Sequence, residues 1–413
     1  MSDAVPSSRS LADLGPRVPR DGLPTVLMRA ALMVVALFPF GVYLPLQSFA
    51  SLVLGCGGTL LCARRLPQPP LALTVSTLIL LGYLALSVAG GDDLKRSLST
   101  SNHMFQWIFA TYTFYTAFHN GAFEVRQLPK FLPYLALGHL LAAVLLALDI
   151  GQQPWEANPL FYEHNLLSFF TIFVLARMAT DSANRCALWY LVAYLLVLTV
   201  LTDRMSVIAL NLAVLGVLFV RIPPVLLAGF ALFTLLSPIY AALTISQTAL
   251  VRLIDVDFNT YIRTEFIGSA ASMLKGHLLT GVGFDTLHRS LNYAYAQVHP
   301  LLNDPEFVAS VSNHHSLFDT VFRFGLILGP IFLWPILRQL LVSGHDRAAQ
   351  AGILFQAFGL SFNAYFEQQG QITTVCFITA LLMVENRVRR AERRGISRRS
   401  RAAGQRPSLA TAS

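Results

Sequence analysis

Arg204, Arg263 and the pair His314-His315 are residue types able to work on a phosphorylated substrate. A guanidinium is planar, grips phosphate oxygens two at a time and keeps its charge at any physiological pH. An imidazole titrates near pH ~6.5, which suits removal of a hydroxyl proton near neutrality. Taken by type alone, the arginines can clamp a phosphate and a histidine can take up a proton. Each residue also has a plainer reading. Arg204, in Leu201-Thr202-Asp203-Arg204-Met205-Ser206, sits at the mouth of an apolar run. There it is either a phosphate clamp or a snorkelling side chain paired with Asp203. Arg263 is either a second clamp or part of a solvated helix face near Asp257 and Glu265. His314 is a general base or a helix-entry residue capping backbone groups. Asn313 is suited to cap the helix that follows. His315 is a second polar contact or simply a neighbour.

Other groups carry weaker signals. Glu163 and His164 open another apolar run and either touch substrate or mark the membrane interface. Trp155 and Tyr162 fit an aromatic belt. Asp319 and Arg323 lie four apart, share a helix face and read as a structural pair. His139, in mid-run, reads as a hydrogen bond between helices. Asp92-Asp93 offers a divalent-metal site, but Lys95 and Arg96 beside it favour a solvated loop. The His314-His315 pair lacks a partner at zinc spacing and is not by itself a zinc signature; no cofactor is expected.

The elements that must hold these groups are membrane helices. Of 413 residues, 54% are hydrophobic and 13% charged, against about 25% charged in soluble globular chains. Apolar windows of about 17–25 residues recur, enough to cross a bilayer as helix. They do not alternate as barrel strands would. The expected fold is an all-α polytopic membrane bundle with about twelve spans, near 25–45, 47–63, 71–90, 104–118, 131–148, 165–179, 187–201, 205–220, 223–243, 316–337, 350–366 and 371–386.

Orientation follows the arginines and lysines. With the N-terminus cytoplasmic, Ala63-Arg64-Arg65, 124–130, 177–185, Arg221, 338–347 and the arginine-rich tail share the cytoplasmic side. Residues 91–103, 149–164, Thr202-Asp203-Arg204, 246–315 and 367–371 fall on the other, periplasmic in a bacterium; Lys95 and Arg96 are the exception. The chain then divides into a cytoplasmic segment 1–24, nine spans over 25–243, one long periplasmic loop with short helices over 244–315, three spans over 316–386 and a basic tail 387–413. That tail reads as disordered, in contact with anionic lipid. The net charge of +8 is explained by the tail, with no nucleic-acid recognition fold beside it. Four cysteines, Cys56, Cys62, Cys186 and Cys376, lack disulfide or metal spacing. The first apolar run reads as a retained helix, not a cleaved signal. In the long loop, Ile262, Phe266, Ala270 and Met273 recur at helical spacing over Thr260 to Leu274, and Thr280-Gly281-Val282-Gly283 breaks the pattern.

Several short motifs follow one another along the chain: Leu201-Thr202-Asp203-Arg204; Arg263 leading into Leu279-Thr280-Gly281-Val282-Gly283-Phe284; His314-His315-Ser316-Leu317-Phe318; then Phe324-Gly325-Leu326-Ile327-Leu328-Gly329. In that order, before and after a long late loop, they resemble the bacterial O-antigen ligase and polymerase superfamily. His315 stands where that family usually has asparagine. The resemblance implies a metal-independent, inverting glycosyltransferase in the inner membrane, using a glycan on undecaprenyl diphosphate. Ligases pass it to lipid A–core; polymerases pass it to the next lipid-linked repeat. It also implies roles: Arg204 and Arg263 on the diphosphate, His314 as the catalytic residue, and His315, Asn313, Glu163 and His164 as candidate substrate contacts. The expected function is the ligase reaction, with a repeat-unit polymerase as the alternative. A lipid-linked sugar transporter fits less well, because transporters gather their binding groups at the midplane on repeated, broken helices.

Overall fold

The computed structural model describes residues 66–90, 94–119, 222–245, 270–284, 315–342, 347–362 and 375–391, with isolated positions in 22–30, 189–192, 212–220 and 264–268. All regular structure among them is helical, with no strand. The helices are α1 (Leu71–Ala89), α2 (Leu94–His119), α3 (Pro224–Thr244), α4 (Ser316–Phe332), α5 (Trp334–Val342), α6 (Arg347–Phe362) and α7 (375–391). The expected spans near 25–45, 47–63, 131–148, 165–179, 187–201 and 205–220 lie wholly or mostly outside the described residues.

Prolines and glycines set the limits. Pro70 precedes α1 in an extended conformation, and Gly90 follows its end. Pro223 precedes α3, and Pro224 occupies its first position, where a missing N–H costs nothing. Both helices are long and apolar enough to cross a membrane, as the sequence predicts for 71–90 and 223–243. Helix α2 starts at Leu94 rather than near 104, so much of the expected 91–103 loop is helix. Helix α7 runs on through 391, carrying Arg387, Arg389 and Arg390 in ordered structure where a disordered tail was expected.

Polar ties cross between helices where lipid offers no water. Gln356 Nε2 donates to Thr379 Oγ1 at 2.8 Å, and Gln350 Nε2 donates to the Ile222 carbonyl at 2.6 Å. Apolar packing joins α2 to α7 through Phe114 and Phe118 against Phe377. Helix α3 packs on α6, and α1 packs on both α2 and α4.

The stretch expected as one straight span at 316–337 is not straight. Gly325 adopts φ 80° and ψ 173° inside α4, and α5 then leaves at 45°. An unbroken helix would separate Phe324 from Phe332 by ~12 Å along its axis. Their ring centroids are 4.8 Å apart. A Cβ on Gly329 would lie 2.8 Å from Val321 Cα, so the second half of α4 folds back against the first. The stretch is therefore a broken span or a re-entrant element.

Candidate functional site

Breaking a helix in lipid exposes backbone groups that must be satisfied inside the protein. Here the three freed carbonyls and one freed N–H find partners inside the protein. In an unbroken α4 the carbonyls of Phe322, Arg323 and Phe324 would accept from residues four ahead. Instead Val282 N–H donates to the Phe322 carbonyl at 2.9 Å, and Gly283 N–H donates to that of Arg323 at 3.2 Å. Tyr83 on α1 places its hydroxyl 3.1 Å from the Phe324 carbonyl and 2.5 Å from that of Thr280. Leu326 N–H, released by the break, donates to the Leu278 carbonyl at 2.8 Å. The turn 278–283 and the break at Gly325 are thus one interlocked unit.

The glycines permit this approach. Gly281, Gly283 and Gly325 all have positive φ, which costs glycine little and other residues much. An added Cβ on Gly281 would stand 2.2 Å from the Arg323 carbonyl oxygen, and one on Gly325 would stand 2.1 Å from that of Leu279.

Asp319 and Arg323 pair as their spacing predicts, Nε to Oδ2 at 2.8 Å, both buried. The Arg323 guanidinium also sits over the Phe284 ring, 5.8 Å from its centroid. That is within the range of a cation–π contact. Phe284 in turn meets Phe324 edge-on.

His315 is 1% exposed and spends both ring nitrogens on the protein. Nδ1 accepts from Phe318 N–H at 3.1 Å, which caps α4. That nitrogen must then be unprotonated, so Nε2 carries the proton and donates to the Leu235 carbonyl at 2.9 Å. Pro238 sits three residues beyond Leu235 in α3. A helix proline disturbs the carbonyls of the preceding turn and makes them available to side chains. The helix cap is His315 rather than Asn313, as one reading had it, and the His315 ring is held by α3 and α4. His315→Ala is expected to lose about 2–3 kcal/mol, summing a cap and a buried hydrogen bond. His315→Asn, which retains a capping group without the reach to Leu235, is expected to lose about half as much. Thermal melts of the two purified variants in detergent decide this; equal melting temperatures for Ala and parent would remove the pin.

Arg204, Arg263, Asn313, His314, Glu163 and His164 lie outside the described residues, as do Asp92 and Asp93. Their described neighbours are informative for two of them. Thr264, next to Arg263, is helical. From the stretch it begins, Ile267 and Ala270 pack in one cluster with Phe318 and Phe322 of α4 and Ala242 of α3. His315, next to His314, is fixed to the same two helices. The segments flanking Arg263 and His314 therefore share one packing cluster. Sequence reasoning missed Tyr83. It sits within an apolar run with nothing to mark it beyond being a polar-tipped ring in mid-helix.

No protein-family model matches the chain, and no curated protein is similar to it. On its own helices the chain is a helical membrane protein.

Proposed function

We propose that the protein is an O-antigen ligase-type glycosyltransferase of the bacterial inner membrane. It moves a glycan from undecaprenyl diphosphate to lipid A–core at the periplasmic face. The observation that supports this reading is the interlock of Gly281-Val282-Gly283 with the break at Gly325. The resemblance rests on a Gly-x-Gly turn late in the loop and a glycine in the next helix. Each leads from, or follows closely on, a candidate residue: Arg263 before the turn, His314 before the helix. Direct contact between the two motifs gives a physical reason for a sequence to keep both.

In this reaction the acceptor hydroxyl attacks the anomeric carbon opposite the diphosphate. The new glycosidic C–O bond forms as the bond to the diphosphate oxygen breaks, and configuration inverts. His314 takes the hydroxyl proton, an assistance typically worth about 10²–10⁴ in rate. Arg204 and Arg263 steady the charge gathering on the diphosphate, each worth about 10²–10³. The leaving group is already good, so charge stabilisation and positioning supply most of what the reaction needs.

The test is transfer between purified glycolipids by the full chain in nanodiscs, with chelator present, beside glycan analysis of a deletion strain. Polymer is expected to accumulate on the lipid carrier in the deletion strain. Wild type should restore transfer, and His314→Ala should lower it by about 10²–10⁴ without altering the melting temperature. Single repeats on lipid A–core in the deletion strain would make the protein the polymerase. An unchanged glycan profile would sink the transferase reading.

A further inference from the structure

Three helix ends meet at the end of the bundle opposite the glycine interlock. Tyr112 of α2 donates to the Pro67 carbonyl just before α1 at 2.6 Å, whereas Tyr83, further along α1, serves the interlock. At the Pro67 end, Arg387 Nη1 of α7 donates to the Tyr115 hydroxyl of α2. The Tyr115 ring lies flat against His119, centroids 5.8 Å apart and planes 6° apart. Asn386 Nδ2 donates to Gln339 Oε1 at 2.7 Å, which fixes α7 beside Arg338 of α5. Arg390, one turn beyond Asn386, is thereby carried to the same end as Arg338, and Arg387 reaches the neighbourhood of His119 through Tyr115.

Converging like charges repel unless an anion lies among them. Arg338 and His119 are half-buried, while Arg387 and Arg390 are exposed, so the group has a floor and an open rim. Among the described residues, Glu385 is the acidic side chain that α7 brings to this region, one carboxylate against Arg338, Arg387, Arg389 and Arg390. The surroundings select the kind of anion. Trp334, Arg338 and Leu341 recur at i, i+4 and i+7 along one face of α5. Trp334 is 45% and Leu341 47% exposed. A soluble phosphate has no use for an apolar stripe on either side of its arginine. A phospholipid does, because its phosphodiester seats on the arginines and its chains lie along the stripe.

We propose that Arg338, Arg387 and Arg390, with His119 at the base, form a binding site for the phosphodiester headgroup of an anionic phospholipid. The site stands independently of the glycan-transfer reading. Its occupant bridges α2, α5 and α7 at the cytoplasmic end that the arginine distribution predicts. It thereby joins the helix that leaves the interlock to the last helix described.

The test is native mass spectrometry of the full chain in a zwitterionic detergent, titrated with dioleoyl phosphatidylglycerol. Dioleoyl phosphatidylcholine serves as the neutral control and glycerol 3-phosphate as the soluble anion. Each basic residue near a membrane surface contributes about fivefold in affinity. Arg338→Gln/Arg390→Gln is therefore expected to weaken phosphatidylglycerol by about 25-fold. Arg398→Gln/Arg399→Gln, which removes the same charge from the tail, should change it less than about twofold. Equal loss in both double variants would mean diffuse attraction and overturn the site. Equal binding of phosphatidylcholine, or displacement of lipid by equimolar glycerol 3-phosphate, would overturn the choice of ligand. Should the double variant not stay monodisperse, Arg390→Gln alone changes an exposed side chain and is expected to lose about fivefold; no loss there would equally overturn the proposal.

Discussion

Gly325→Ala is expected to destabilise the protein by more than about 3 kcal/mol and to leave little monodisperse material. Two costs add. A side chain at positive φ costs about 1–3 kcal/mol, and forcing atoms into filled space costs about as much again. The space here is filled by backbone, with the Leu279 carbonyl oxygen 2.1 Å and the Gly281 nitrogen 2.9 Å from the new Cβ. Backbone cannot rotate aside as a side chain can. Any shift that makes room also parts Leu326 N–H from Leu278 and Val282 N–H from Phe322. Gly229→Ala is the matched control. It lies inside α3 with nothing within 4 Å of the added Cβ, so the better helix former should stabilise by about 0.5–1 kcal/mol. Fluorescence-detected size exclusion and thermal melts of both variants give the comparison. Indistinguishable melts for Gly325→Ala and Gly229→Ala would show that the interlock does not hold the fold.

Asp319→Ala should cost about 3–5 kcal/mol, the usual loss when one member of a buried ion pair is removed. The reason is what stays behind. Arg323 is 2% exposed, cannot shed its charge, and would keep only the Phe284 face and its remaining contacts in place of a carboxylate. Arg323 also lends its carbonyl to Gly283, so a guanidinium that pulls toward water drags on the interlock. Asp319→Leu with Arg323→Met should recover most of the loss, because an apolar pair of similar volume avoids desolvating two charges. A double-mutant cycle on melting free energies measures the coupling. Additive losses would mean that the pair is incidental to the fold.

How much of this was legible beforehand depends on the kind of signal. Helices α1 and α3 could be read almost to the residue, because continuous apolar runs between Pro70 and Gly90, and after Pro223-Pro224, have one solution in a bilayer. The start of α2 was hidden: Lys95, Arg96 and Asn102 look like loop, yet Leu94–His119 is one helix. The fold-back of α4 was hidden as well. Gly325 and Gly329 are unremarkable in a membrane helix. Only the three-dimensional contact with 278–283 shows that one of them takes positive φ. The pairing of Asp319 with Arg323 followed from helical spacing alone. His315 did not follow: its partners are a carbonyl 80 residues away and the N–H of Phe318, and no local pattern announces the first. Arg204, Arg263 and His314 rest on chemistry, spacing and resemblance, with packed flanks beside the latter two.

The order in which the chain is made gives the interlock a further meaning. Residues 278–283 leave the ribosome well before 322–326, and alone they hold donors and acceptors turned toward a partner that does not yet exist. In water that wait is harmless, since solvent fills the gap. In hydrocarbon each open group costs several kcal/mol. The bend at Gly325 has no such refuge, because the apolar sequence around it draws it toward the bilayer as soon as it appears. Synthesis thus delivers the turn first and the bend second. The later helix, when it arrives, is broken against a turn that the chain already holds.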